Sequence, residues 1–123
     1  MTVQLTRGEL EIMDVVWDRG RATVQDVCDA LQRPLAYTTV MTVLKTLETK
    51  RQAVRKVKEG RAFVYEPAVT REEVCRTMLG QLKQHLAKPS LKSVVLNLIQ
   101  DDAITSADLA EIKRAISKLE GQK

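Results

Sequence analysis

Between Thr38 and Arg61 the chain gathers the side chains best suited to meeting a polyanion. Thr38, Thr39, Thr42, Lys45, Thr46 and Thr49 come first, at spacings that recur with a helical period. Lys50, Arg51, Arg55, Lys56, Lys58 and Arg61 follow, with only Glu48 and Glu59 opposing them. Short hydroxyls can approach phosphates and base edges closely, and a localised cationic stripe is the electrostatic footprint of phosphate contact. The chemistry expected of this set is recognition of duplex DNA. Thr38, Thr39, Thr42, Lys45 and Thr46 would face a groove, and Arg55, Lys56, Lys58 and Arg61 would hold the backbone.

Other chemistries find no support. His85 is the only histidine, and neither Cys28 nor Cys75 stands at a helical interval from it. The two cysteines are too few and too far apart for a zinc site or a disulfide framework, and both are expected as small buried hydrophobes. Glu72-Glu73 and Asp101-Asp102 fall at predicted helix ends, where the helix dipole or solvent accounts for them. There is no phosphate-cradling glycine loop, and no catalytic constellation, metal site or cofactor is expected.

The elements that position the cationic set follow from periodicity. A helix over about 37–50 would bury Val40, Val43, Leu44 and Leu47 at i, i+3, i+4 and i+7. At about 100° per residue its far side then carries Thr38, Thr42, Lys45 and Thr49, flanked by Thr39, Met41 and Thr46. Two strands, over about 53–58 and 61–66, alternate apolar with charged residues around a turn at Gly60. Upstream, Thr6 with Glu9 has the spacing of a capping box and opens a helix that ends at Gly20, with Leu10, Met13, Val16 and Trp17 as its inner face. Thr23 and Asp26 open a shorter one, with Val24, Val27, Cys28 and Leu31 on one side and a stop at Pro34. Helix, short helix, hydroxyl-bearing helix and basic hairpin in that order spell a winged helix-turn-helix.

Downstream, Thr70 with Glu72 and Glu73 starts a helix running to about Leu86, and Lys88-Pro89-Ser90 is the clearest break. Ser90 is then expected to open a helix carrying Leu91, Val94, Val95, Leu98 and Ile99. Thr105 should cap a last one carrying Leu109, Ile112, Ile116 and Leu119. So short a tail cannot hide these side chains alone, and a second copy of the chain is the economical cover. The expected organisation is a mainly α protein with a small β-hairpin: a winged helix-turn-helix domain over 1–69 and a helical dimerisation region over 70–123.

With 123 residues, 44% hydrophobic and 29% charged, the chain suits one modest core plus an appended element. The net charge of +4 is too small to imply a polyanion partner by itself. No apolar run approaches the roughly 20 residues of a membrane span, so no membrane insertion is expected. The N-terminus lacks a secretory pattern, and a cytoplasmic location is the default. Two rival functions remain: a winged-helix protein-interaction module without DNA binding, and a metal- or redox-sensing repressor using Cys28 and Cys75.

Taken together, the segments LTRGELEIMDVVW, TTVMTVLKTL, GRAFVYEP, SLKSVVLNLIQDD and ITSADLAEIKRAI carry a further reading. Over nearly its whole length the chain resembles the penicillinase-repressor (BlaI/MecI/CopY-type) transcriptional regulator family. The resemblance implies a homodimeric repressor of an inverted-repeat operator, with an N-terminal winged helix and a C-terminal helical dimerisation region. It also implies release by a sensor or effector protease that cleaves within that region. The matching bond here is Asn97-Leu98, where the penicillinase repressors carry phenylalanine in place of Leu98. The copper-type relatives' closely spaced C-terminal cysteine pairs are absent. Two further departures concern the groove helix: family members commonly have glycine where Arg51 stands, and many have arginine where Thr46 stands. Without that glycine, Arg51 must end the helix either with no left-handed cap or at some strain.

Overall fold

The computed structural model describes residues 4–121. The outermost residues of the two expected domains, 1–3 and 122–123, lie outside the described set. The described elements are α1 (Arg7–Arg19), α2 (Val24–Ala30), α3 (Tyr37–Thr49), β1 (Val54–Glu59), β2 (Ala62–Pro67), α4 (Arg71–His85), α5 (Lys88–Ile99) and α6 (Ser106–Gly121). The chain falls into two compact units, one reaching to Gln81 and the other starting at Leu82. α4 therefore runs across the boundary between these two units. The reason is that the start of α4 is tied to α1. Val74 is buried, Arg71 pairs with Asp18 at 3.0 Å, and its guanidinium lies 5.2 Å over the Trp17 ring.

Threonine capping boxes set four of the helix starts. Thr6 with Glu9, Thr23 with Asp26, Thr70 with Glu73 and Thr105 with Asp108 exchange reciprocal backbone–side-chain bonds of 2.8–3.2 Å. Each box satisfies two orphan groups at a helix start, which is why the T-x-x-E/D spacing locates these starts in sequence. The break before α5 is different. It falls at Leu86-Ala87, and Pro89 sits in the helix's first turn instead of before it. Proline fits there because that turn's N–H groups have no intrahelical partner to lose.

In the first unit, Ile12, Met13 and Val16 of α1 meet Val24 and Val27 of α2 and Val40, Leu44 and Leu47 of α3. Ala53, Val54 and Tyr65 from the hairpin close this core, together with Ala22. The inner face of α1 is thus rotated from the expected one. Ile12 takes the deep position, while Leu10 and Trp17 are half-buried at the edge, with Trp17 Nε1 donating to the Val69 carbonyl at 2.9 Å. Val43 is likewise only half-buried. Cys28 packs half-buried against the core as a small hydrophobe, but Cys75 is exposed on α4. α2 ends at Ala30, before Pro34, and Leu31 follows it in extended conformation.

β1 and β2 pair antiparallel from Val54↔Pro67 to Glu59↔Ala62, with Gly60 and Arg61 as the turn. Gly60 has φ 63° while Arg61 keeps a negative φ, the arrangement of a type II′ turn that matches strand twist. A single bridge joins the α1–α2 connection to the hairpin: Ala22 and Tyr65 exchange N–H to carbonyl bonds of 3.0 and 2.8 Å. That bridge fixes the root of the hairpin to the helical core.

In the second unit, neither α5 nor α6 buries a single residue. Val95, Leu96, Leu98, Ile116 and Leu119 stand exposed. Leu91, Val94, Ile99, Leu109 and Ile112 are half-buried.

Candidate nucleic-acid interface

α3 presents two faces. Val40, Leu44 and Leu47 are fully buried, while Tyr37, Thr38, Thr39, Met41, Thr42, Lys45 and Thr49 are exposed and Thr46 is half-exposed. Its N-cap, Ala36, brings no side-chain oxygen, so the first-turn N–H groups keep no side-chain partner. The helix therefore ends in an unmasked positive pole.

The threonine hydroxyls are not idle. Thr42 Oγ1 donates to the Thr38 carbonyl at 2.9 Å, Thr46 Oγ1 to Thr42 at 3.1 Å, and Thr49 Oγ1 to Lys45 at 2.8 Å. These bonds to the preceding turn satisfy the three hydroxyls within the helix itself.

The end of α3 shows how the chain manages without the family's glycine. The helix closes with Arg51 N–H on the Thr46 carbonyl and Ala53 N–H on the Leu47 carbonyl, and the left-handed position passes to Gln52, at φ 54°. The Arg51 side chain turns back to α1, where Nε donates to both oxygens of Glu9 at 3.1 and 3.2 Å. Only 8% of the Glu9 side chain is exposed, and the same carboxylate accepts the Thr6 N–H at 2.8 Å. One buried acid thereby caps α1 and anchors the end of α3.

The hairpin's cations divide by face. Lys56 and Lys58 share one face with Phe63, and the Lys56 ammonium lies 4.4 Å over the Phe63 ring. Arg55 lies on the opposite face, where it pairs with Glu66 at 3.3 Å and donates to the Pro67 carbonyl at 3.2 Å. Arg21, outside the charge run, reaches the hairpin and pairs with Glu59 at 3.1 Å and Glu66 at 3.3 Å. The hairpin's acids are thus neutralised. Among the described residues Lys45, Lys50, Lys56, Lys58 and Arg61 pair with no carboxylate. At the hairpin root burial raises the Tyr65 phenol pKa, and the nearby Glu48 and Tyr37 add to the effect.

Local sequence reasoning missed Arg21, Glu9, Tyr37 and the pairing of Arg55 and Arg51. The Thr-x-x-Glu spacing does flag Glu9, but only as a cap. Its ion pair joins residues 42 apart, and no local pattern signals it. Among the described residues no cluster of histidine, cysteine or acid could hold a metal ion, and no helix is long and apolar enough to cross a membrane.

Three packed helices, a strand-like bridge and a hairpin rooted in their core define a winged helix-turn-helix fold. Residues 5–118 match the family described as Penicillinase repressor. The transcriptional regulator BlaI of Mycobacterium tuberculosis is 37% identical over 124 residues, covering 95% of this chain and 88% of that protein. The penicillinase repressor of Bacillus licheniformis is 25% identical over 122 residues, covering 98% and 94%. The solved DNA-binding domain of the repressor BlaI aligns with a TM-score of 0.52 and 31% identity, over 59% of this chain and 90% of that domain. The chain belongs to the penicillinase-repressor family, and it is a transcriptional repressor rather than an enzyme.

Proposed function

We propose that this chain represses transcription by binding an inverted-repeat operator in duplex DNA as a homodimer. One observation carries the reading: a helix with Thr38, Thr42 and Lys45 exposed is followed directly by a hairpin whose Lys56, Lys58 and Arg61 pair with no carboxylate. In this reading Thr38, Thr39, Thr42, Lys45 and Thr46 enter the major groove. Lys56, Lys58 and Arg61 contact the backbone, and Arg55 contributes least because it must first leave Glu66. The solved BlaI domain, named for DNA binding, supports the assignment by likeness.

The second copy is argued from α5 and α6. Leu91, Val94, Val95, Leu98, Ile99, Leu109, Ile112 and Ile116 line helices in which no residue is fully buried. An apolar surface of that kind is covered in solution, and a two-fold partner covers it with the same residues. Two groove helices related by a two-fold axis bind half-sites about 34 Å apart, or a multiple of that. If the dimer neutralises about six to ten phosphates, affinity falls by roughly 10³–10⁵ between about 50 and 200 mM salt. The compartment is then the cytoplasm, where the operator lies.

Release by proteolysis at Asn97-Leu98 is the finer part of the proposal. Both residues are exposed and lie within α5, with Asn97 Nδ2 donating to the Ser93 carbonyl at 2.9 Å. A protease requires extended backbone, so cleavage here needs α5 to open locally and the two-fold contact that Leu98 lines to loosen with it. Intact chain during derepression, seen by mass spectrometry, rejects this part. The operator proposal itself is tested by selecting duplexes from a random pool with the full chain. An enriched inverted repeat is expected, and no enrichment, or binding of one chain to one half-site, refutes it.

A further inference from the structure

Three of the α3 threonines have committed their hydroxyl hydrogens inside the helix, to the carbonyls of Thr38, Thr42 and Lys45. A threonine bonded this way has a fixed χ1, and it turns outward its methyl group and at most an acceptor lone pair. Tyr37 and Met41 sit one turn apart beside these threonines, exposed for 50% and 44% of their surface. With a helical period, Tyr37, Met41, Lys45, Thr38 and Thr42 share one arc of about 140°. Within it Met41 and the bonded Thr42 present thioether and methyl carbon, beside the Tyr37 phenol, the Thr38 hydroxyl and the Lys45 ammonium. Met41 and Thr42 themselves have no free donor to offer a base edge.

In the major groove, the base-edge group that an apolar surface distinguishes is the C5 methyl of thymine. We propose that the α3 face reads thymine methyl groups by apolar contact, with Met41 and Thr42 as specificity-determining residues. At positions 42 and 46, reading by a donated hydrogen bond would require the threonine to give up the carbonyl it already holds. The inference rests on the operator-binding reading above and names what that surface recognises. Burial of one methyl group corresponds to about a fourfold gain in affinity for each contacted thymine.

The test uses the full chain and a duplex that it has itself selected from a random pool. Each thymine is replaced in turn by uracil, which removes only the methyl group. Wild-type protein should lose about fourfold in affinity at one or more thymines of each half-site. Thr42→Val keeps the methyl without the hydroxyl and should retain the thymine-over-uracil preference. Thr42→Ser keeps the hydroxyl without the methyl and should lose that preference at its own position, and Met41→Ala should lose it at a neighbouring one. Thermal unfolding of each variant confirms that the fold persists. Equal affinity for thymine and uracil duplexes, a selected half-site without thymine, or the opposite order of the Thr42 variants overturns the inference while leaving operator binding standing. Failure to select any duplex removes operator binding itself, and the inference with it.

Discussion

Replacing Arg51 by methionine should destabilise the winged domain far more than a surface arginine substitution does. Arg51→Met keeps the stem of the side chain but leaves the Glu9 carboxylate, 8% exposed, with only the Thr6 N–H as a partner. Removing one member of a buried ion pair costs about 3–5 kcal/mol. Here 34% of the Arg51 side chain still meets water, which lowers the expected cost to about 1–3 kcal/mol. For a domain of roughly 60–100 residues each kcal/mol moves Tm by about 4–8 °C, so a fall of about 5–20 °C is expected. Trp17, the only tryptophan, is half-buried in this unit and bonded to Val69, so its fluorescence reports the transition. Adding Glu9→Gln should restore more than half of the loss, because glutamine still accepts the Thr6 N–H while carrying no buried charge. Arg33→Met, which breaks the exposed pair with Glu11, serves as the reference and should leave Tm within error. If Arg51→Met shifts Tm no further than Arg33→Met, the Glu9–Arg51 pair is no anchor and the reasoning fails.

The remaining predictions concern the same two units. Gln52→Gly should add about 0.5–1 kcal/mol, since a left-handed glutamine costs about 1–2 kcal/mol and glycine's lost entropy offsets part of the gain; an unchanged or lower urea midpoint contradicts this. Lys58→Ala and Arg61→Ala should each weaken binding on all sequences and flatten the salt slope by about one contact per protomer, whereas Arg55→Ala should change the slope least. Equal effects of all three would contradict the division of the hairpin by face. Hydrogen bonds from the Thr23 and Thr105 caps hold Asp26 and Asp108 below the usual aspartate range. Because the folded values are the lower ones, their contribution is full above the unfolded value of about 3.9 and is lost as pH falls through the folded values. Urea unfolding of Asp26→Asn should therefore vary less with pH below about 4 than that of wild type. Val95→Asp with Ile116→Asp should leave Trp17 unfolding unchanged but turn a dimeric mass in light scattering into a monomeric one. A wild-type chain already monomeric at micromolar concentration contradicts the assembly.

Much of this was legible because it is local. The T-x-x-E/D spacings, the 3.6-residue stripe of Val40, Leu44 and Leu47 and the alternation around Gly60 each encode an element within a few residues. Some local cues read two ways, and others yield to tertiary contact. Pro89 reads as a break yet lies inside the first turn of α5, where proline is at home. The α1 stripe keeps Met13 and Val16 as expected but has Ile12 in place of Leu10 and Trp17, because Trp17 is held at the domain edge by its bond to Val69 and Ile12 fills the deep site. Charge counting marked the hairpin as basic, but it could not show that Arg21 neutralises Glu59 or that Glu66 holds Arg55. Those pairings join residues 38 and 11 positions apart, and only the fold brings them together. Nor could residue type reveal that the α3 hydroxyls are already bonded, which changes what the helix can offer a base.

The most direct measurement is a binding titration of the full chain on its selected duplex across a range of salt, with the mass of the complex determined alongside. The account predicts two chains per inverted repeat and log K falling linearly with log salt at a slope of roughly −5 to −9. One chain per duplex, or an affinity indifferent to salt, would contradict it.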